Sequence, residues 1–174
     1  MEYDPVRLPT PSQSPVPLIL LIGLPGSGKS TLAAKLTYEC PKRRLISTDR
    51  IRAQLFGDEA TQGPWQQVWW EVRQQFCQTV AQIKQQEAVA GIYDATNVVR
   101  RQRRQALALA RDCGFTQIIG LWCNLPLEVC WERNQHRDRQ VPEAVLLRMH
   151  RRLQGAPPDL QEGFDQLLTI KPLS

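Results

Sequence analysis

The chain has 174 residues, 42% of them hydrophobic, which suits one domain with a sizeable core. Lys and Arg total 22 against 17 Asp and Glu, so the net charge is +5, compatible with a polyanionic partner or with a soluble protein that is simply basic. No stretch approaches the ~18 apolar residues of a membrane span, and five cysteines without a C-x-x-C pair beside only two histidines exclude a disulfide scaffold and a zinc module.

Residues 1–15 mix prolines with polar side chains and are expected to form a disordered tail, leaving 16–174 as a single domain. The opening residues carry no leading apolar run, so no secretory leader is expected and the cytoplasm is the default location. Cys40, Cys77, Cys113, Cys123 and Cys130 then read as reduced thiols.

"VPLILLIG" (16–23) is nearly continuous in apolar residues and predicts a strand covered on both faces, as in a parallel sheet. "SGKSTLAAKLTYEC" follows as a helix with Leu32, Ala33, Leu36 and Thr37 on one stripe. "RLIS" (44–47) predicts a second strand, and "DRIRAQLFG" (49–57) a short helix capped by Asp49 and stopped by Gly57. Val68, Trp69, Val72, Phe76, Val80 and Ile83 keep helical spacing over 65–87. Then come a strand running into a loop (88–97), a helix (99–113) and a fourth strand (116–125). A helix starts at Pro126, "DRQ" breaks the pattern, another helix runs from Pro142 to Gly155, and 164–171 closes the chain's pattern as a strand. Strands alternating with helices predict a three-layer α/β sandwich around a mostly parallel sheet of about five strands, with ligands at the strands' C-terminal edge.

"GLPGSGKS" (23–30) matches G-x-x-x-x-G-K-[ST] between a strand and a helix, the context in which the motif binds a nucleoside triphosphate. Gly23, Leu24, Pro25, Gly26, Ser27 and Gly28 would wrap the phosphates with backbone N–H groups. Lys29 would reach the β- and γ-phosphates, and Ser30, beside Thr31, would coordinate Mg²⁺. This predicts a P-loop NTPase fold with ATP and Mg²⁺ as cofactors.

Two absences point to a phosphotransferase. There is no N-K-x-D guanine reader, and "GIYDATN" holds Asp94 without the second acid of a motor ATPase. Asp49 in "STDRIR" is then either a helix N-cap or a general base across the cleft from the γ-phosphate. Arg52, one turn on, would face the same cleft and hold an acidic group of the acceptor. "ERNQHRDRQVP" places Arg133, Arg137 and Arg139 between two helices, either as a lid that stabilises the transferring phosphoryl group or as a solvated basic helix end. "RRQRR" (Arg100, Arg101, Arg103, Arg104) opposes the helix macrodipole and would suit phosphate, as would Arg148, Arg151 and Arg152, although a solvated charged face is the plain alternative. Trp65, Trp69, Trp70 and Trp131 are candidates for stacking a base, and none is assigned.

Together "GLPGSGKST", "STDRIR", "YDATN" and "ERNQHRDRQVPEAVLLRMHRRL" resemble the P-loop polynucleotide 5′-hydroxyl kinases, in particular the kinase module of bacterial and phage polynucleotide kinase-phosphatases. The likeness runs from about residue 17 to 171 and includes "EGFDQLLTI". It implies that Asp49 is the base on the acceptor 5′-hydroxyl, that Arg52 contacts the acceptor's nearby phosphate, and that Arg137, helped by Arg133, contacts the donor phosphates in a lid at about 133–142. It further implies that Asp94 orients Arg52; the residues alone offer a rival place for Asp94 in the Mg²⁺ shell. Asn97, in the same "DATN", joins the acceptor side. A nucleic acid end is the implied acceptor, and a separate phosphatase or ligase a possible partner. A small-molecule kinase using the same base, or a regulatory ATPase, are the alternatives.

Overall fold

The structure, a computed structural model, describes residues 14–171. The expected tail therefore lies, apart from its last two residues, outside the described residues. Strand β1 (Pro17–Ile22) leads through helix α1 (Lys29–Glu39) to β2 (Arg43–Ser47). Helices α2 (Thr48–Phe56) and α3 (Trp65–Lys84) precede β3 (Ala90–Asp94). Helix α4 (Arg100–Cys113), β4 (Gln117–Cys123), α5 (Leu127–Gln135) and α6 (Glu143–Gly155) follow. A 3-10 turn (Leu160–Glu162) and β5 (Gln166–Ile170) complete the order.

The five strands form one sheet in the order β2-β3-β1-β4-β5, and every neighbouring pair is parallel. A parallel sheet needs both faces covered, and the pleat of β1 divides its apolar residues accordingly. Leu18, Leu20 and Ile22 join Val68, Val72, Phe76 and Val80 of α3 and Ala106, Leu107 and Ala110 of α4 in the main core. Leu21 turns the other way and packs with Ile92 against Ala33 of α1. Phe76 anchors the main core, meeting Tyr93 and Phe115 edge-on at 5.2 and 5.6 Å. Truncating so enclosed a ring costs about 3–5 kcal/mol.

From β1 the chain crosses over α1 toward β2; from β3 it crosses over α4 toward β4. The connections part between β1 and β3, and the crevice beyond their C-terminal ends is where α/β sheets hold ligands. The segment between α5 and α6 lies over this edge. Its bend is tied by Asn134, which is 1% exposed. Asn134 donates Nδ2–H to the Val141 carbonyl (2.8 Å), and its Oδ1 accepts from Val141 N–H (3.0 Å). Among the described residues no helix is long and apolar enough to cross a membrane, and all five cysteines are free thiols.

Two expectations need correction. The cap of α2 is Ser47, whose Oγ accepts from Arg50 N–H at 3.5 Å, so Asp49 sits inside the first turn with its carboxylate released from capping. The run "RRQRR" is not one solvated cluster, because Arg103 is 0% exposed. Its guanidinium forks onto Glu162 of the 3-10 turn at 2.7 and 2.6 Å and donates to the Asn97 and Ala156 carbonyls. Arg103 shares the helical stripe of Ala106, Leu107 and Ala110, a spacing that marks it as inward-facing.

Candidate active site

The donor wall is the loop from Gly23 to Ser30. Gly26 and Gly28 take φ of 81° and 88°, which favour glycine, and a Cβ on Gly26 would run into the Cys130 carbonyl. Lys29, at the first position of α1, is buried and donates Nζ–H to the Leu24 carbonyl at 2.8 Å, with Ser27 Oγ at 3.5 Å. Ser30 Oγ donates to Asp94 Oδ2 at 2.9 Å. Burial lowers the pKa of Lys29, opposed first by the charge of Asp94. Burial likewise raises that of Asp94, opposed by Lys29 and the Ser30 bond. Two opposite charges thus share a poorly solvated pocket at the switch point, and each depends on the other. Thr31 is exposed beside them.

The pair expected between Asp94 and Arg52 is not formed. Asp94 ends β3 beside the start of α1 and turns to Ser30, whereas Arg52 is one helical turn from Asp49 and bonds it, Nη1 to Oδ1, at 3.0 Å. A serine hydroxyl and a carboxylate at hydrogen-bond distance fit Mg²⁺, which accepts few protein oxygens and keeps water and phosphate oxygens for the rest. Among the described residues no group of three or more His, Cys, Asp or Glu is placed to hold a metal, so Ser30 and Asp94 would need the nucleotide to complete an ion's shell.

The opposite wall comes from α2, α3 and the α5–α6 segment. Asp49, with a side chain 44% exposed, meets two guanidiniums: Arg52 from its own helix and Arg139, whose Nη1 lies 3.4 Å from Oδ1. Arg52 stacks toward Trp65, 5.9 Å from the ring centre, and Trp65 stacks on Trp69 at 5.8 Å. The Nε of Arg52 is buried without a hydrogen-bond partner. Arg137 lines the same cleft, and its positive charge helps to lower the pKa of Lys29. Arg133 reaches toward Gly28 from above the loop. The cleft has a volume of about 410 Å³ and is bounded by Lys29, Ser30 and Asp94 on one side and by Asp49, Arg52 and Trp65 on the other.

Asn97 lines the cleft as well, with its Nδ2 committed to the backbone. It holds a positive φ of 51° and donates Nδ2–H to the Leu21 carbonyl at 2.7 Å, which fixes the turn after β3. Two cleft residues are named in the sequence only as members of a group, without a place of their own. Arg139 was visible as a lid arginine, but no local pattern pairs it with Asp49. Trp65 precedes the apolar stripe of α3 and was one tryptophan among several candidates.

The arrangement matches a known family. Residues 18–156 match the family model described as AAA domain, AAA_33. No curated protein matches the chain in sequence. Among solved structures, the chain is similar to one in the Pnkp1/Rnl/Hen1 RNA repair complex, at 21% identity and a TM-score of 0.68, over 89% of this chain and 48% of that one. A fungal RNA kinase aligns at 19% identity and a TM-score of 0.61, over 92% and 76% of the two chains. A gluconokinase from Sinorhizobium meliloti 1021 aligns at 18% identity and a TM-score of 0.54, over 90% and 82%. The chain spans about half the length of the repair-complex chain it matches. A phosphate loop at the switch point of an all-parallel sheet, together with the family match, makes this chain a member of the AAA domain family with a P-loop kinase fold.

Proposed function

We propose that residues 16–174 act as one kinase domain, with a lid at about 133–142, that moves the γ-phosphate of ATP to the 5′-hydroxyl end of a polynucleotide. The observation that carries this reading is the setting of Asp49. Ser47 takes the cap, and Asp49, held by arginines, lines the same cleft as Lys29 and Ser30.

Asp49 accepts the proton of the acceptor hydroxyl as its oxygen closes on the γ-phosphorus. The bond from that phosphorus to the β–γ bridging oxygen breaks, and ADP leaves with the electron pair. Lys29 and the loop amides hold the β- and γ-phosphates in line. Arg137, with Arg133, meets charge on the transferring group. Arg52, which lines the cleft beside Asp49, holds the acceptor's adjacent phosphate. Mg²⁺, when held by Ser30 and Asp94, would neutralise charge on the β- and γ-oxygens. The likeness to an RNA repair complex and to an RNA kinase supports a nucleic acid acceptor. A 5′-phosphate end is what a ligase consumes, so a separate ligase or phosphatase fits as a partner. The free cysteines suit a reducing cytoplasm.

The likeness to a gluconokinase favours a second reading, a sugar-acid acceptor on the same base. One assay separates the two: transfer of label from γ-labelled ATP with Mg²⁺ to 5′-hydroxyl RNA, 5′-hydroxyl DNA and a panel of sugars and sugar acids. The expected result is labelled oligonucleotide, lost in Asp49→Asn and on chelation of the metal. Label in a sugar acid alone would overturn the polynucleotide reading.

A further inference from the structure

We infer that the acceptor is a single strand that leaves the cleft past Trp65 and runs along a basic groove over the start of α4, so the enzyme engages several nucleotides and not the terminal one alone. This rests on the polynucleotide reading above.

A second, open groove of about 660 Å³ adjoins the cleft. The two share Trp65, Val99, Gln102, Gln105 and Arg152, and the groove adds Arg100, Arg101 and Ala156. Among its lining residues there is no Asp or Glu. Arg100 Nε lies 3.5 Å from Glu162, but Arg103 already engages both oxygens of that carboxylate at 2.7 and 2.6 Å. Two guanidiniums on one carboxylate leave a net positive charge. Arg101 and Arg152 form no ion pair among the described residues. Three arginines on a groove whose lining holds no acidic residue, two of them outside any ion pair among the described residues, suit a polyanion, and their long side chains can follow its backbone.

The position of Trp65 gives the groove its direction. Trp65 is 45% exposed although its side chain is large and apolar. Trp69 stacks on it, Arg52 lies 5.9 Å from its centre, and it stands where cleft and groove meet. The exposed part of an aromatic held between a tryptophan and an arginine is an apolar edge for any base to pack on, which binds a strand without reading its sequence. The cleft of about 410 Å³ suffices for a small acceptor; the adjoining groove is needed only by an acceptor that continues.

The test is kcat/KM for 5′-hydroxyl acceptors of one to six nucleotides, in wild type, in Arg101→Glu/Arg152→Glu and in Trp65→Ala. Both arginines are exposed, so the double variant should fold, which its melting temperature would verify. For wild type, kcat/KM should climb about 10-fold or more with length, and for the longest acceptor its logarithm should fall with log salt at a slope of roughly −2, as three phosphate contacts on a single strand predict. The double variant should bring the long-to-short ratio near one and flatten the salt slope. Trp65→Ala should raise acceptor KM about 10-fold, with Trp65→Phe restoring much of it. Efficient transfer that is independent of length, or a length effect that survives in the double variant, would overturn the strand path and leave the assignment of Asp49 standing. Failure to label any oligonucleotide would overturn the underlying reading instead.

Discussion

The two walls of the cleft are built by different means. The donor wall is one contiguous stretch, Gly23 to Thr31, held by its own backbone turns and by two buried charges, Lys29 and Asp94. The wall proposed for the acceptor is gathered from α2, α3 and the α5–α6 segment, with Asp49 44% and Arg139 31% exposed and Arg52 13%. A phosphate chain is the same in every nucleoside triphosphate, so a closed, preorganised loop can hold it. An acceptor must enter, react and leave, and a wall of long side chains on separate elements can open for it.

The largest expected effect tests whether the walls act separately. Asp49→Asn should lower transfer about 10³-fold, within the 10²–10⁴ range of general-base loss, while nucleotide affinity by equilibrium titration stays within about 2-fold. Lys29→Ala should reduce both. If Asp49→Asn weakened nucleotide binding as much as transfer, the division would fail.

The next effect concerns stability and divides the basic run itself. Arg103→Met leaves Glu162 buried without its fork and should cost about 3–5 kcal/mol in denaturant unfolding. Arg101→Ala, on the solvent side, should stay within about 0.5 kcal/mol. Equal costs would mean that Arg103 is not the buried member.

Smaller effects should separate the lid arginines. Arg139→Ala should raise acceptor KM about 10-fold, as befits one lost charged contact, with nucleotide KM little changed; Arg137→Ala should do the reverse. Both moving nucleotide KM alone would place Arg139 on the donor wall.

The smallest effect is a slope in the stability-against-pH curve. Burial raises the folded pKa of Asp94 above its unfolded value, so the folded state binds more protons between the two. Stability therefore falls as pH rises from the unfolded value, 3.8, through the raised folded one. Asp94→Asn should remove that fall, as followed by thermal melts across the acid range. An unchanged slope would mean that the donor wall carries no such buried charge.

Much of this molecule is legible along the chain. The apolar run of β1, the glycine-rich turn and α1 are adjacent in sequence and in space, so strand, loop and helix read together. Elements differed from expectation mainly at their ends: α3 stops at Lys84 rather than 87, and β3 spans Ala90–Asp94 within the expected 88–97. Helix ends fray and strand ends depend on a neighbour's register, neither of which is local. The site was legible in membership and not in pairing. Asp49 and Arg52 were expected in the cleft and line it, but the partner of Asp94 is Ser30, and Asn97 supports the turn.

The sequence by itself determined the phosphate loop, the alternation of strands and helices, and the set of charged residues that the cleft draws on. These follow from backbone conformation and hydrophobic period, which act within a few residues of each other. Only the tertiary structure decided which charges meet. Ser30 and Asp94 are 64 residues apart, and Arg103 and Glu162 59 apart. Arg139 reaches Asp49 only because the α5–α6 segment comes over the sheet edge. A charge pairs with what packing brings within a few ångströms, and burying it alone costs too much to leave that choice to the local chain.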